Sequence, residues 1–132
     1  MSAAPEFSSS FVSSGATFER APGSIGGPGA WRGSELAQQP QDWTYCLSSL
    51  EVSELDDAMQ QTRDRDFLEI GKDAFSLPNL GPRLADMKRE LLDGRGFVLI
   101  RGIPVSGYAL EESARIYWGI GQHIGVAESQ NI

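Results

Sequence analysis

Apolar positions recur with helical spacing in three stretches of this chain and run together without alternation in a fourth. Leu55, Ala58, Met59 and Thr62 share one face of a first helix, predicted to start at Ser53, to run to about Arg65 and to end before Gly71. Ser53 can cap it, with Asp56 three residues on at the positive end of its dipole. Leu80, Leu84, Met87 and Leu91 fall at spacings of four, three and four, and Pro82 suits the first turn of the helix they define. A third helix is predicted from about Leu110 to His123, with Glu111 and Glu112 near its start and Gly125 at its stop. Leu110, Ala114, Tyr117, Gly121 and Ile124 form one stripe on it, and Ile116 and Ile120 make the adjacent face apolar too. That much apolar surface calls for cover on two sides.

The unbroken run is Phe97-Val98-Leu99-Ile100, predicted to be a strand buried on both faces. Gly94 sits where a helix end favours positive φ, Gly96 allows a second turn, and Gly102 with Pro104 closes the strand. Phe75-Ser76-Leu77-Pro78 alternates apolar and polar, as a short edge strand ended by proline would. Helices and strands together give an α+β class.

Residues 1–30 are rich in Ser, Gly, Pro and Ala, with Phe7, Phe11 and Phe18 widely spaced. Such a segment buries too little to offset its ordering entropy and is expected to be a flexible, disordered leader. Trp31, Trp43 and Tyr45 then mark an aromatic arm expected to pack on the core, since only Arg32 is near enough to support a stacking platform for bases or sugars.

Eighteen acidic against eleven basic side chains give a net charge of -7, which argues against nucleic acid or an anionic membrane as partner. Glu51, Glu54, Asp56, Asp57, Asp64, Asp66 and Glu69 concentrate that charge, read as a solvated helix face, with an acidic docking surface as the alternative. The start of the chain fits neither a secretory signal nor an arginine-rich transit peptide, and no apolar run approaches the ~20 residues of a membrane span. The expected location is cytoplasmic. Gly23 to Gly29 lacks both a phosphate-loop lysine and a preceding strand, so it is not read as a nucleotide site.

Asp93-Gly94-Arg95-Gly96-Phe97-Val98-Leu99-Ile100-Arg101-Gly102-Ile103-Pro104, followed by Ala114-Arg115-Ile116-Tyr117-Trp118-Gly119-Ile120-Gly121-Gln122-His123-Ile124-Gly125 and Ser129-Gln130-Asn131, resembles the N-terminal part of the taurine catabolism dioxygenase (TauD/TfdA-like) family. The likeness starts loosely near Ala30-Trp31-Arg32-Gly33 and is sharp from about Leu91. It implies a double-stranded β-helix (jelly-roll) oxygenase that uses Fe(II) and 2-oxoglutarate on a small-molecule substrate. It also implies a His-x-Asp/Glu pair and a distant second His as iron ligands. This chain has one histidine, His123, followed by Ile124-Gly125, so one copy cannot assemble that triad. Residues 31–132 are therefore expected to be the N-terminal portion of such a domain, truncated before its metal-binding half, with no catalytic residue, no metal ligand and no cofactor of its own.

Gln130 and Asn131 are the candidate substrate-binding residues, because the resemblance implies that the segment after Ile124-Gly125 enters the sheet near the substrate mouth. His123 is read as structural for want of a second histidine, and Arg95 and Arg101 as helix-terminus or surface partners rather than anion ligands. Cys46 is the one cysteine, which rules out an intrachain disulfide; it is expected to be buried or inert, a papain-like pair with His123 being the alternative. Three readings of function follow: the front of an oxygenase, not catalytic by itself; a non-catalytic remnant acting as a protein-interaction module; and a stand-alone module dimerised through the third helix. Composition leaves the oligomeric state open.

Overall fold

The computed structural model describes Gly23 and residues 26–131, so the expected leader lies outside the described residues except at its C-terminal end. A four-residue helix α1 (Gly33–Leu36) and a 3-10 turn (Pro40–Asp42) lead into strand β1 (Thr44–Cys46). Helix α2 (Ser49–Gln61), a 3-10 turn (Phe67–Glu69), helix α3 (Leu80–Asp93), strand β2 (Leu99–Arg101) and helix α4 (Leu110–Ile124) follow. The class is mixed helix with a two-stranded sheet, as expected.

Helix α2 starts earlier than predicted. Ser48, not Ser53, is its cap: the Ser48 hydroxyl accepts the Glu51 N–H (3.2 Å) while the Glu51 carboxylate accepts the Ser48 N–H (2.9 Å). Two reciprocal bonds outcompete the single acidic neighbour that favoured Ser53. At its other end the Thr62 hydroxyl donates back to the Ala58 carbonyl at 2.8 Å.

Helix α3 buries Leu80, Leu84 and Met87, three of the four positions its spacing selected. Its N-terminal amides are satisfied from another element. The Glu54 carboxylate of α2 accepts the Asn79 N–H (2.7 Å), the Asn79 side-chain amide (2.8 Å) and the Leu80 N–H (2.9 Å). At the far end Gly94 has φ -106, and the left-handed residue is Gly96 at φ 92. The Glu90 carboxylate folds back to accept the Arg95 N–H, so the turn comes two residues after the position expected. Arg89 pairs with Asp86, three residues before it on the same helix.

The core lies where α2, α3 and α4 meet, around Leu55, Met59, Leu80, Leu84, Ile116 and the side chain of Phe75. Phe75 and Leu77 are buried, but the segment that carries them forms no strand. Its alternating pattern reports two side chains plugged into a helical core.

Helix α4 has the predicted length and a different inner face. Arg115, Ile116, Gly119 and Ile120 are buried, whereas the stripe of Leu110, Ala114, Tyr117 and Gly121 faces outward. Gly119 decides this rotation, because its bare backbone admits the Phe75 ring so closely that a Cβ there would stand 2.4 Å from three ring carbons. No other residue fits that contact without repacking.

Strands β1 and β2 pair in parallel, Thr44 with Leu99, Tyr45 with Ile100 and Cys46 with Arg101. Tyr45 and Ile100 lean on the helical core. The expectation of a strand buried on both faces fails: β2 has three residues, and its flanking positions Leu99 and Arg101 are exposed. The helices cover one side of the sheet only. Trp31 and Trp43 both meet the Phe97 ring, at centroid distances of 5.1 and 5.8 Å, so the aromatic arm is a packing device as expected.

Two glycines two residues apart on different faces of α4 should respond oppositely to alanine. Gly119→Ala overpacks the Phe75 contact and is expected to cost about 1–3 kcal/mol, while Gly121→Ala meets open space and should gain up to about 1 kcal/mol of helix propensity. Urea unfolding at low protein concentration measures both; equal effects would contradict the assigned face.

Candidate functional site

Much of the acidity proves to be structural. Glu51 and Glu54 are buried, which corrects the reading of the whole acidic stretch as a solvated face. Besides its capping role, Glu51 accepts the Tyr45 hydroxyl at 2.8 Å. Burial works against ionising Glu51, but the Ser48 amide and hydroxyl, Tyr45 and the field of Arg83 outweigh it and hold the carboxyl below its ordinary range. The Tyr45 phenol moves up, through burial first and its bond to Glu51 second. Asp66 accepts the Leu68 N–H, and Asp56 accepts the Tyr108 hydroxyl at 2.5 Å. That bond, with burial behind it, pushes the Tyr108 phenol up to about 12.

Arg115 is the buried cation. Its guanidinium donates to the carbonyls of Thr62 (2.6 Å) and Arg65 (2.8 Å), pairs with Glu111 and lies 4.7 Å over the Phe67 ring. It thereby closes the C-terminus of α2, where a cation is favoured. Neither Arg115 nor the Glu54 cap has a local signal in the sequence; both bonds span about 25 residues or more along the chain.

His123, near the end of α4, reaches the loop before α3. Its Nε2 lies 2.7 Å from the Phe75 carbonyl, so that nitrogen carries the proton and donates it, and Nδ1 is buried without a partner about 3.6 Å from where a Gly81 side chain would begin. It borders a cleft of about 470 Å³ shared with Lys72, Ser76, Pro78 and Pro82. The carbonyl bond makes His123 a clamp between α4 and the Phe75 loop.

Cys46 is exposed rather than buried. It lines a different cleft with Trp43, Thr44 and Arg101, so the structure does not bring Cys46 and His123 together. Arg95 donates to the Asp42 carbonyl (2.7 Å) and pairs with Glu90 (3.4 Å), the helix-terminus fate expected of it. Gln130 and Asn131 lie exposed in the irregular tail beyond α4, where the Ser129 hydroxyl donates to the Asn131 carbonyl. No strand carries them among the described residues.

The Fe(II) site that the family resemblance implies does not fit these residues. Among the described residues no group of three His, Cys, Asp or Glu side chains could hold a metal ion, and the one imidazole has one nitrogen bonded and the other sealed. Nor is any described helix long and apolar enough to cross a membrane.

No family model matches the chain. It is similar to taurine hydroxylase-like protein SAT17 of Stachybotrys chartarum, 29% identical over 98 residues that make up 73% of this chain and 25% of that protein. It is also similar to FR-33289 synthase of Streptomyces rubellomurinus, 26% identical over 109 residues, 81% of this chain and 32% of that one. The chain thus spans about a quarter to a third of the curated relatives it matches. Together the two similarities point, at low identity, to the taurine dioxygenase family.

The Tyr108 bond has a pH signature. Because the phenol's folded-state value stands at about 12 against an ordinary 10, the bond contributes stability that is intact below pH 10 and is lost as pH rises through 12. Ultraviolet titration should show a tyrosine that ionises near 12, and Asp56→Asn should bring it back toward 10. A profile unchanged by Asp56→Asn would remove Asp56 as the cause.

Proposed function

We propose that this chain is the N-terminal part of an Fe(II)/2-oxoglutarate-dependent oxygenase of the TauD/TfdA type, supplying scaffold helices and a sheet strand rather than the chemistry. The observation that carries this reading is the similarity over 98 residues to a taurine hydroxylase-like protein about four times as long as the matched region. The two motif blocks that prompted the resemblance lie on the α3–β2 turn and on α4, which are packed into one core. In this reading iron, 2-oxoglutarate and a small-molecule substrate are held by residues beyond Ile132, in a cytoplasmic enzyme. The outer face of β2, with Leu99 exposed, then lies against the rest of the jelly roll. Gln130 and Asn131, just past α4, enter the sheet near the substrate.

A second reading, a non-catalytic interaction module, is favoured by one observation, the outward apolar stripe of α4.

Calorimetric titration of the 132-residue protein with Fe(II) and 2-oxoglutarate under anaerobic conditions should show no stoichiometric binding. The transcript read past the Ile132 codon should continue in frame to a His-x-Asp or His-x-Glu and a later His, and the longer product should bind both. Stoichiometric binding by the 132-residue chain would overturn the scaffold assignment, and a stop codon at that point would favour the second reading.

A further inference from the structure

Among the described residues Arg63, Arg89, Arg95 and Arg115 each pair with a carboxylate, and Arg101 does not. Its place follows from the sheet. Tyr45 and Ile100 lean on the core, so side-chain alternation turns Thr44, Cys46 and Arg101 to the opposite face, where Cys46 and Arg101 are cross-strand partners. With Pro40, Gln41 and Trp43 they border a cleft of about 490 Å³, a size ordinary for small-molecule sites.

The cleft combines a fixed apolar wall with a cation. The Trp43 indole is held from two directions: its Nε1–H donates to the Leu36 carbonyl at 2.8 Å, and its ring packs on Phe97. The Pro40 carbonyl accepts the Trp43 N–H, which ties the proline to the same wall. Arg101, the Thr44 hydroxyl and the Gln41 amide supply donors, and no carboxylate borders the cleft. In a chain of net charge -7 that is a local inversion, since the clefts at Arg95 and Lys72 also carry Asp86 with Glu90 and Asp73, respectively.

This donor set selects a ligand by charge and shape. A guanidinium fork meets a carboxylate with two parallel bonds, whereas a dianion would find one cation here and the repulsion of the remaining negative charge. The Trp43 and Pro40 surfaces suit a flat apolar body on the same molecule. We propose that this cleft binds a small organic monocarboxylate, with its carboxylate on Arg101 beside Thr44 and Gln41 and its apolar body against Trp43 and Pro40. The site shares no residue with Gln130 or Asn131 and stands whether or not the oxygenase reading does. One exposed ion pair beside one apolar wall gives millimolar affinity rather than a tight complex.

The exposed Cys46 thiol is a reporter inside the cleft. At constant ionic strength, benzoate should slow alkylation of Cys46 by iodoacetamide in the 132-residue protein, and the effect should saturate. The Thr44 and Arg101 amides and the Trp43 indole N–H should shift along the same curve in heteronuclear NMR spectra. Benzamide, similar in shape and uncharged, should bind about fivefold more weakly, and Arg101→Gln should bring benzoate down by the same factor without changing the thermal melt. Arg101→Lys keeps the charge without the fork and should fall between the two. A benzoate effect that never saturates overturns the proposal, as does equal protection by benzamide or by chloride. Benzoate binding indifferent to Arg101→Gln overturns it too, by placing the anion on another surface.

Discussion

A single buried carboxylate ties the start of one core helix to the middle of another. Glu54 projects from the middle of α2 and accepts three donors at the start of α3, a helix whose own N-cap residue, Asn79, makes no side-chain cap. Because each backbone N–H there must find a partner once buried, α3 can begin only where Glu54 reaches it. Arg115 does the complementary work from α4, closing the last carbonyls of α2. The helix ends are thus stitched to one another by charged side chains, and Phe75 fills the space left between.

That arrangement explains which parts of the fold were legible. The α3 stripe was, since its burial follows 3.6-residue spacing against one neighbour, and so was the extent of α4. The start of α2 was legible but misassigned: Ser48-x-x-Glu51 carries a two-way capping signal, stronger than Ser53 with Asp56. What no local pattern contains is the rotation of α4. Two adjacent apolar faces compete on that helix, and the shorter one wins because Gly119 alone admits the Phe75 ring. The same long-range logic hid the burial of Glu51, Glu54 and Arg115, whose partners are tertiary. Phe75 and Leu77 mimicked a strand because alternation describes any segment that dips every second side chain into a core.

Around the candidate site, packing roles were the legible part. One histidine cannot make the triad of the resembled family, and its place as a clamp on the Phe75 carbonyl gives His123 a packing role. Arg95 likewise serves the end of α3. The proposal of a larger domain draws on the sheet: two parallel strands covered on one side, with Leu99 turned outward. Parallel strands ordinarily have both faces covered, which is the geometry expected of an element contributed to a wider sheet.

The most direct test of this account is the Glu54 cap itself. Urea unfolding of Glu54→Gln, which keeps the shape and removes the charge, should show a loss of about 1.5–3 kcal/mol, with faster hydrogen exchange at the Leu80 amide than elsewhere in α3. Stability within about 0.5 kcal/mol of the parent, with Leu80 still protected, would mean that α3 finds its place without α2, and the scheme of helix ends stitched by charge would fail.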